Sequence, residues 1–208
     1  MGQRPRGRRV PGRLTIGLYN SYDPRRLTEA HRRALARAAP LALAFDANLV
    51  AFGFPWDAAA GDLSTGRGGA KGGPLELSTP LDIARFVAST TSVGEGGDYF
   101  VRLAEDGRFQ TFDLPRKGFP PQLGEVVLTT EHATGPKSTT PRDVAAALVA
   151  GRSQLLVFGL GPHGVPKDVH AMAARELDVT GRNLSFETAT ALGAVVAAID
   201  AHRDAMSR

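Results

Sequence analysis

Gly159, Gly161 and Gly164 form a literal G-x-G-x-x-G within Phe158-Gly159-Leu160-Gly161-Pro162-His163-Gly164. Such a turn can bring main-chain N–H groups close to a polar or phosphorylated ligand, because glycine has no Cβ to keep the ligand away. Asp178 lies near the distance at which a dinucleotide fold places its ribose-binding carboxylate. That fingerprint also needs a helix opening at the third glycine. Pro162 and Pro166 crowd the turn instead, and each removes a backbone donor that a pyrophosphate would want. No second β-α-β unit follows. A nucleotide-dependent oxidoreductase is therefore the lesser reading, beside a structural one in which the glycines only let a strand turn sharply.

Gln154 to His202 frames these glycines. Leu155-Leu156-Val157-Phe158 has the length and composition of a buried strand, and Glu176-Leu177-Asp178-Val179 is a second β-type run. Asn183 and Ser185 mark the start of a closing helix, in which Ala191, Leu192, Val195, Val196 and Ile199 recur at helical spacing. Two strands ending in backbone-rich turns, followed by a helix, can hold a small ligand by main-chain groups.

Three pieces together resemble a known family. Phe158-Gly159-Leu160-Gly161 with Gly164-Val165-Pro166 is similar to the "strand, G-x-G, G-[LIV]-P" element of the SPOUT superfamily of RNA methyltransferases. Leu184-Ser185-Phe186-Glu187-Thr188-Ala189-Thr190-Ala191 is similar to that superfamily's following element, and Val126 to Pro141 to the loop that precedes both. The resemblance is strongest from Glu125 onward and is most like an uncharacterised archaeal branch. It implies a C-terminal trefoil knot and S-adenosylmethionine as cofactor. It also implies an RNA partner (tRNA or rRNA, methylated on ribose 2′-O or a base) and a homodimer. The ligand walls it implies are Leu128, Thr129, Thr130, Gly159, Leu160, Gly161, Leu177, Asp178, Val179, Leu184, Ser185 and Thr188. Near the first strand it implies a catalytic Asn20 with Arg33 (or Arg32). Glu187 is either a base or a stabiliser of the last helix's N-terminus. Glu131 and His132 are lower-ranked polar candidates.

Composition narrows the alternatives. The chain has 208 residues with 42% hydrophobic, no cysteine and a formal net charge of +4. Disulfides, thiolate nucleophiles and cysteine-based zinc are excluded, and no metal site is expected. No run is apolar enough to span a membrane, so a cytoplasmic protein is expected. The positive charge is almost all arginine, which suits phosphate contacts and equally suits a GC-rich genome. Residues 1–13 are read as a flexible basic tail. Arg4, Arg6, Arg8 and Arg9, with Arg25 and Arg26, are candidates for RNA contacts.

Residues 14–208 read as a single α/β-knot domain. Leu14 to Tyr19 is a strand, a helix over 24–43 follows with Asp23 as its cap, and residues 49–54 form a second strand. His31 is expected at the rim of that helix, with no partner that would make it a base. Residues 57–74 are a Gly-rich loop, and Thr79-Pro80 opens a helix. Tyr99-Phe100-Val101-Arg102-Leu103 and Phe109 to Phe112 alternate around Asp106-Gly107, which predicts a β-hairpin insertion over 99–116. Glu125 to Thr129 is a strand, and Thr140-Pro141 opens another helix. Alternation of strand and helix predicts an α/β fold with a mainly parallel sheet and helices on both faces. Within this fold the alternative to an active methyltransferase is a non-catalytic module that binds RNA or S-adenosylmethionine.

Overall fold

The computed structural model describes residues 10–22, 25–56, 77–161 and 164–208. The basic residues up to Arg9, the Asp23 cap and the Gly-rich loop fall wholly or largely outside them. Seven strands form one sheet in the order β3-β2-β1-β6-β4-β7-β5. They are β1 (Leu14–Tyr19), β2 (Asn48–Phe52), β3 (Phe109–Phe112), β4 (Glu125–Thr129), β5 (Ser138–Thr139), β6 (Gln154–Gly159) and β7 (Arg175–Leu177). Every pairing is parallel. The central strands β1 and β6 are buried along nearly their whole length. That is why LTIGLY and QLLVFG read as near-continuous apolar runs rather than alternating ones.

One face of the sheet carries α1 (Glu29–Ala44), α2 (Pro80–Thr90), α3 (Gly96–Glu105), α4 (Pro141–Val149) and α6 (Thr188–Ser207), packed on Ile16, Leu18, Leu156 and Phe158. The other face is covered by α5 (Lys167–Met172), by Phe112 at the end of β3 and by the segment through Leu114, Phe119 and Leu123, packed on Phe52, Leu128 and Val157. Helices α2 and α4 start as the sequence requires. The hydroxyls of Thr79 and Thr140 accept the N–H of Asp82 and Asp143, whose carboxylates return to the threonine backbone N–H, with proline in the first turn. Each satisfies two of the donors that a helix start leaves orphaned.

Three expectations are corrected. Residues 99–105 belong to helix α3, not to a hairpin. Phe100, Leu103 and Ala104 bury one helical face, and Asp106-Gly107 ends the helix instead of turning a strand. The N–H of Gly107 (φ 69°) bonds to the carbonyl of Ala104, and that of Arg108 to Leu103, a Schellman closure. β3 then pairs parallel with β2. The first helix begins at Glu29 with Thr28 at its cap. The last helix begins at Thr188 behind Glu187, and Asn183 stands outside it with a left-handed φ of 55°.

Candidate ligand-binding site

The carboxyl ends of β4, β6 and β7 open into a cleft of about 840 Å³, where parallel α/β sheets place their ligands. Its walls include Thr129, Thr130, Gly159, Leu160, Gly161, Leu177, Asp178, Val179, Leu184, Ser185 and Thr188. These are the expected ligand residues except Leu128, which lies fully buried in the core beneath. Three loops far apart in the chain thus converge on one site. The cleft has apolar walls at Leu160, Leu177, Val179, Leu184 and Val195 and a rim of main-chain and hydroxyl groups, a mixture suited to a small organic ligand.

Local hydrogen bonds fix each loop. Gly161 donates its N–H to Ser21 Oγ at 2.8 Å, and Leu160 donates to Tyr19 O at 3.1 Å. A Cβ on Gly161 would lie 2.7 Å from Ser21 O, so only glycine fits. Asp178 Oδ1 accepts from Thr180 N and Oγ1, both at 2.9 Å, and Oδ2 accepts from Asn183 N at 3.0 Å. Burial raises this carboxyl's pKa, and the N–H donors of Asn183, Thr180 and Gly181 with the Thr180 hydroxyl outweigh it, leaving the group below its usual value. Asp178 therefore shapes its own loop. Thr129 Oγ1 is likewise committed, to Val157 O at 2.9 Å.

A smaller groove of about 370 Å³ adjoins the cleft and shares Tyr22, Leu160, Glu187 and Thr188 with it. Arg33 and Arg37 line the groove. Arg33 Nε is 3.4 Å from Glu29 Oε1, and Arg37 Nη1 is 3.6 Å from Glu187 Oε1. Arg32 points elsewhere, its guanidinium 5.9 Å from the centre of the Phe86 ring. Between the two arginine candidates, then, Arg33 faces the site. Glu187 Oε2 accepts from Ala189 N at 3.0 Å and Thr190 N at 3.3 Å, so this carboxylate caps α6.

Asn20 is only 2% exposed and lines neither the cleft nor the groove. Its Nδ2 donates to Gly53 O at 2.7 Å, and its Oδ1 accepts from Tyr22 N at 3.0 Å. His31, expected at a rim, is instead fully buried, with Nδ1 bonded to Thr28 and Nε2 to Asn20. His170 also lines the cleft, with Nδ1 2.9 Å from Glu176 Oε1. The sequence reading missed His170, since one histidine in a short helix carries no pattern. Arg25 and Arg26 are exposed before α1.

A family described as "Protein of unknown function (DUF531)" matches residues 14–200. The chain belongs to the DUF531 family. Its relatives include the uncharacterized protein MJ0224 of Methanocaldococcus jannaschii, 37% identical over 187 residues, 90% of this chain and 93% of that protein. Two solved structures share the DUF531 chain's fold at low identity. A probable methyltransferase of Bordetella pertussis superposes with TM-score 0.55 at 14% identity, covering 92% of this chain and 96% of its own. A protein of Bacillus anthracis, provisionally assigned as an RNA methyltransferase, does so with TM-score 0.51 at 12% identity, covering 92% and 94%. The fold departs from the dinucleotide pattern at its critical point. In this DUF531 chain no helix opens at Gly164, which takes φ 65°, and α5 begins only at Lys167.

Proposed function

We propose that the protein is an S-adenosylmethionine-dependent RNA methyltransferase of SPOUT type, acting on tRNA or rRNA. The observation that carries this reading is the convergence of Thr129–Thr130, Gly159–Gly161, Leu177–Val179 and Leu184–Thr188 on one cleft. All of these but Phe186 and Glu187 are ligand walls that the motif resemblance implies. The shared fold with structures described as methyltransferases supports it. A knotted threading of the C-terminal segment and a homodimer belong to the same proposal. The exposed Leu184 and Phe186 at the cleft mouth suit a covering partner or ligand.

The residues present fit the cofactor. Leu160, Leu177, Val179 and Val195 offer an apolar slot for an adenine. With the N–H groups of Leu160 and Gly161 taken by Tyr19 and Ser21, the carbonyl groups of the Gly159–Gly161 turn and the Ser185 hydroxyl offer hydrogen bonds along its edge. When bound, the cofactor supplies a methyl group on a positively charged sulfur. The protein's own task is to hold the acceptor in line and keep water out. Arg33 and Arg37, in the groove that runs into the cleft, would grip the acceptor nucleotide's phosphate or hydroxyl. Glu187 holds Arg37 and the start of α6 in place. Asn20 acts from beneath, as a support.

The test is transfer of labelled methyl from S-adenosylmethionine into total RNA. Incorporation that depends on Arg33 supports the reading. Tight S-adenosylmethionine binding with no label in any RNA would favour the non-catalytic module instead.

A further inference from the structure

His31 is the one buried histidine among the described residues, and the mechanism above makes no use of it. Its ring sits edge-on to Tyr22 and Phe54, with centroids at 5.3 Å and 5.1 Å. Thr28 N lies 3.1 Å from Nδ1. A backbone N–H can only donate, so Nδ1 is the acceptor and the ring proton sits on Nε2. That proton is donated to Asn20 Oδ1 at 2.8 Å.

The contacts continue outward from there. Asn20 Oδ1 also receives Tyr22 N–H, while Asn20 Nδ2 ties the turn to Gly53 at the end of β2. Ser21, inside the turn so fixed, accepts the N–H of Gly161. Thus a strut of four residues runs from the first turn of α1 to the glycine turn at the cleft floor. Arg33 leaves the same helix two residues after His31 and lines the adjoining groove.

We propose that His31 is a positioning residue: as a neutral imidazole, donor at one nitrogen and acceptor at the other, it sets the shape of the Gly161 turn through Asn20 and Ser21. It thereby holds the ligand cleft and the Arg33 groove in fixed relation. The link to ligand binding rests on the reading of the cleft given above.

Two conservative variants separate the two ends of the strut. His31→Gln puts an amide nitrogen near the place of Nε2 and keeps the donor to Asn20. His31→Asn puts an oxygen near the place of Nδ1 and keeps only the contact to Thr28. Amide hydrogen exchange at Gly161 is read in each, together with S-adenosylmethionine affinity. In His31→Asn, Gly161 exchange rises and affinity falls, each by roughly tenfold, the scale of one lost hydrogen bond. In His31→Gln both stay near wild type, although overall stability drops in both variants. Ser21→Ala, which cuts the far end and spares the core, should loosen Gly161 to a similar degree.

Equal protection of Gly161 in wild type, His31→Asn and Ser21→Ala would overturn the proposal. So would equal loosening by His31→Gln and His31→Asn. If the wild-type protein does not bind S-adenosylmethionine, the ligand reading fails, and the exchange comparison still decides the role of His31.

Discussion

At the scale of single residues, His31 makes a prediction about pH. Burial lowers its pKa from 6.5 to about 4. The unfolded chain takes up a proton near pH 6.5 while the folded protein does not, so unfolding binds protons in that window. Stability is thus complete above pH 6.5 and declines as the pH falls toward 4, by roughly 3 kcal/mol at most. Urea unfolding midpoints measured between pH 7 and pH 4 should show this slope, and His31→Gln should flatten it. Arg33 makes a second prediction. Because it lines the groove beside the cleft and not the glycine turn, the proposed function predicts that Arg33→Ala lowers methyl transfer by roughly 100-fold. S-adenosylmethionine affinity should stay within about twofold, as expected for a loss confined to the transition state. A matching loss of affinity would put Arg33 in the ligand site instead. The sequence made Arg33 visible by its type and place but not its direction, which depends on how α1 is rotated against α6. The burial of His31 was not legible because Thr28 and Asn20 become its partners only in the folded chain.

At the scale of elements, caps decide where helices begin and end. Thr140→Ala removes the acceptor for Asp143 N–H and should cost about 1 kcal/mol. Gly107 stands in open space at φ 69°, so Gly107→Ala meets no atom and pays only for the left-handed backbone, again about 1 kcal/mol. Thermal or urea unfolding checks both, and no loss at Gly107 would contradict the Schellman closure. The threonine caps were readable from sequence because cap, proline and acidic residue fall within four positions. Residues 99–112 were misread for a physical reason. Tyr99-Phe100-Val101-Arg102-Leu103 satisfies a period of two over five residues, and Asp-Gly serves a hairpin and a helix end alike. What decides between them is packing against α1 and α2. Gly96 and Gly97 allow it, since added Cβ atoms there would lie 2.4 Å from Ala36 O and 2.7 Å from the Ala88 Cα.

At the scale of the whole molecule, the parallel sheet followed from strands too apolar to have a wet face, alternating with helices. The strand order did not follow, because no local signal states that β6 inserts between β1 and β4. That order brings the Gly159–Gly161 turn beside the Asn20–Tyr22 turn, and so creates both cleft and groove. Among the described residues no helix is long and apolar enough to cross a membrane. The account stands or falls on the cleft's ligand. The most direct measurement is a calorimetric titration with S-adenosylmethionine, run beside one with NAD, on wild-type protein and Gly161→Val. Saturable binding of S-adenosylmethionine alone, abolished in Gly161→Val while the variant still melts cooperatively, is the predicted result. Binding of NAD, or S-adenosylmethionine binding untouched by Gly161→Val, would contradict the assignment of this cleft.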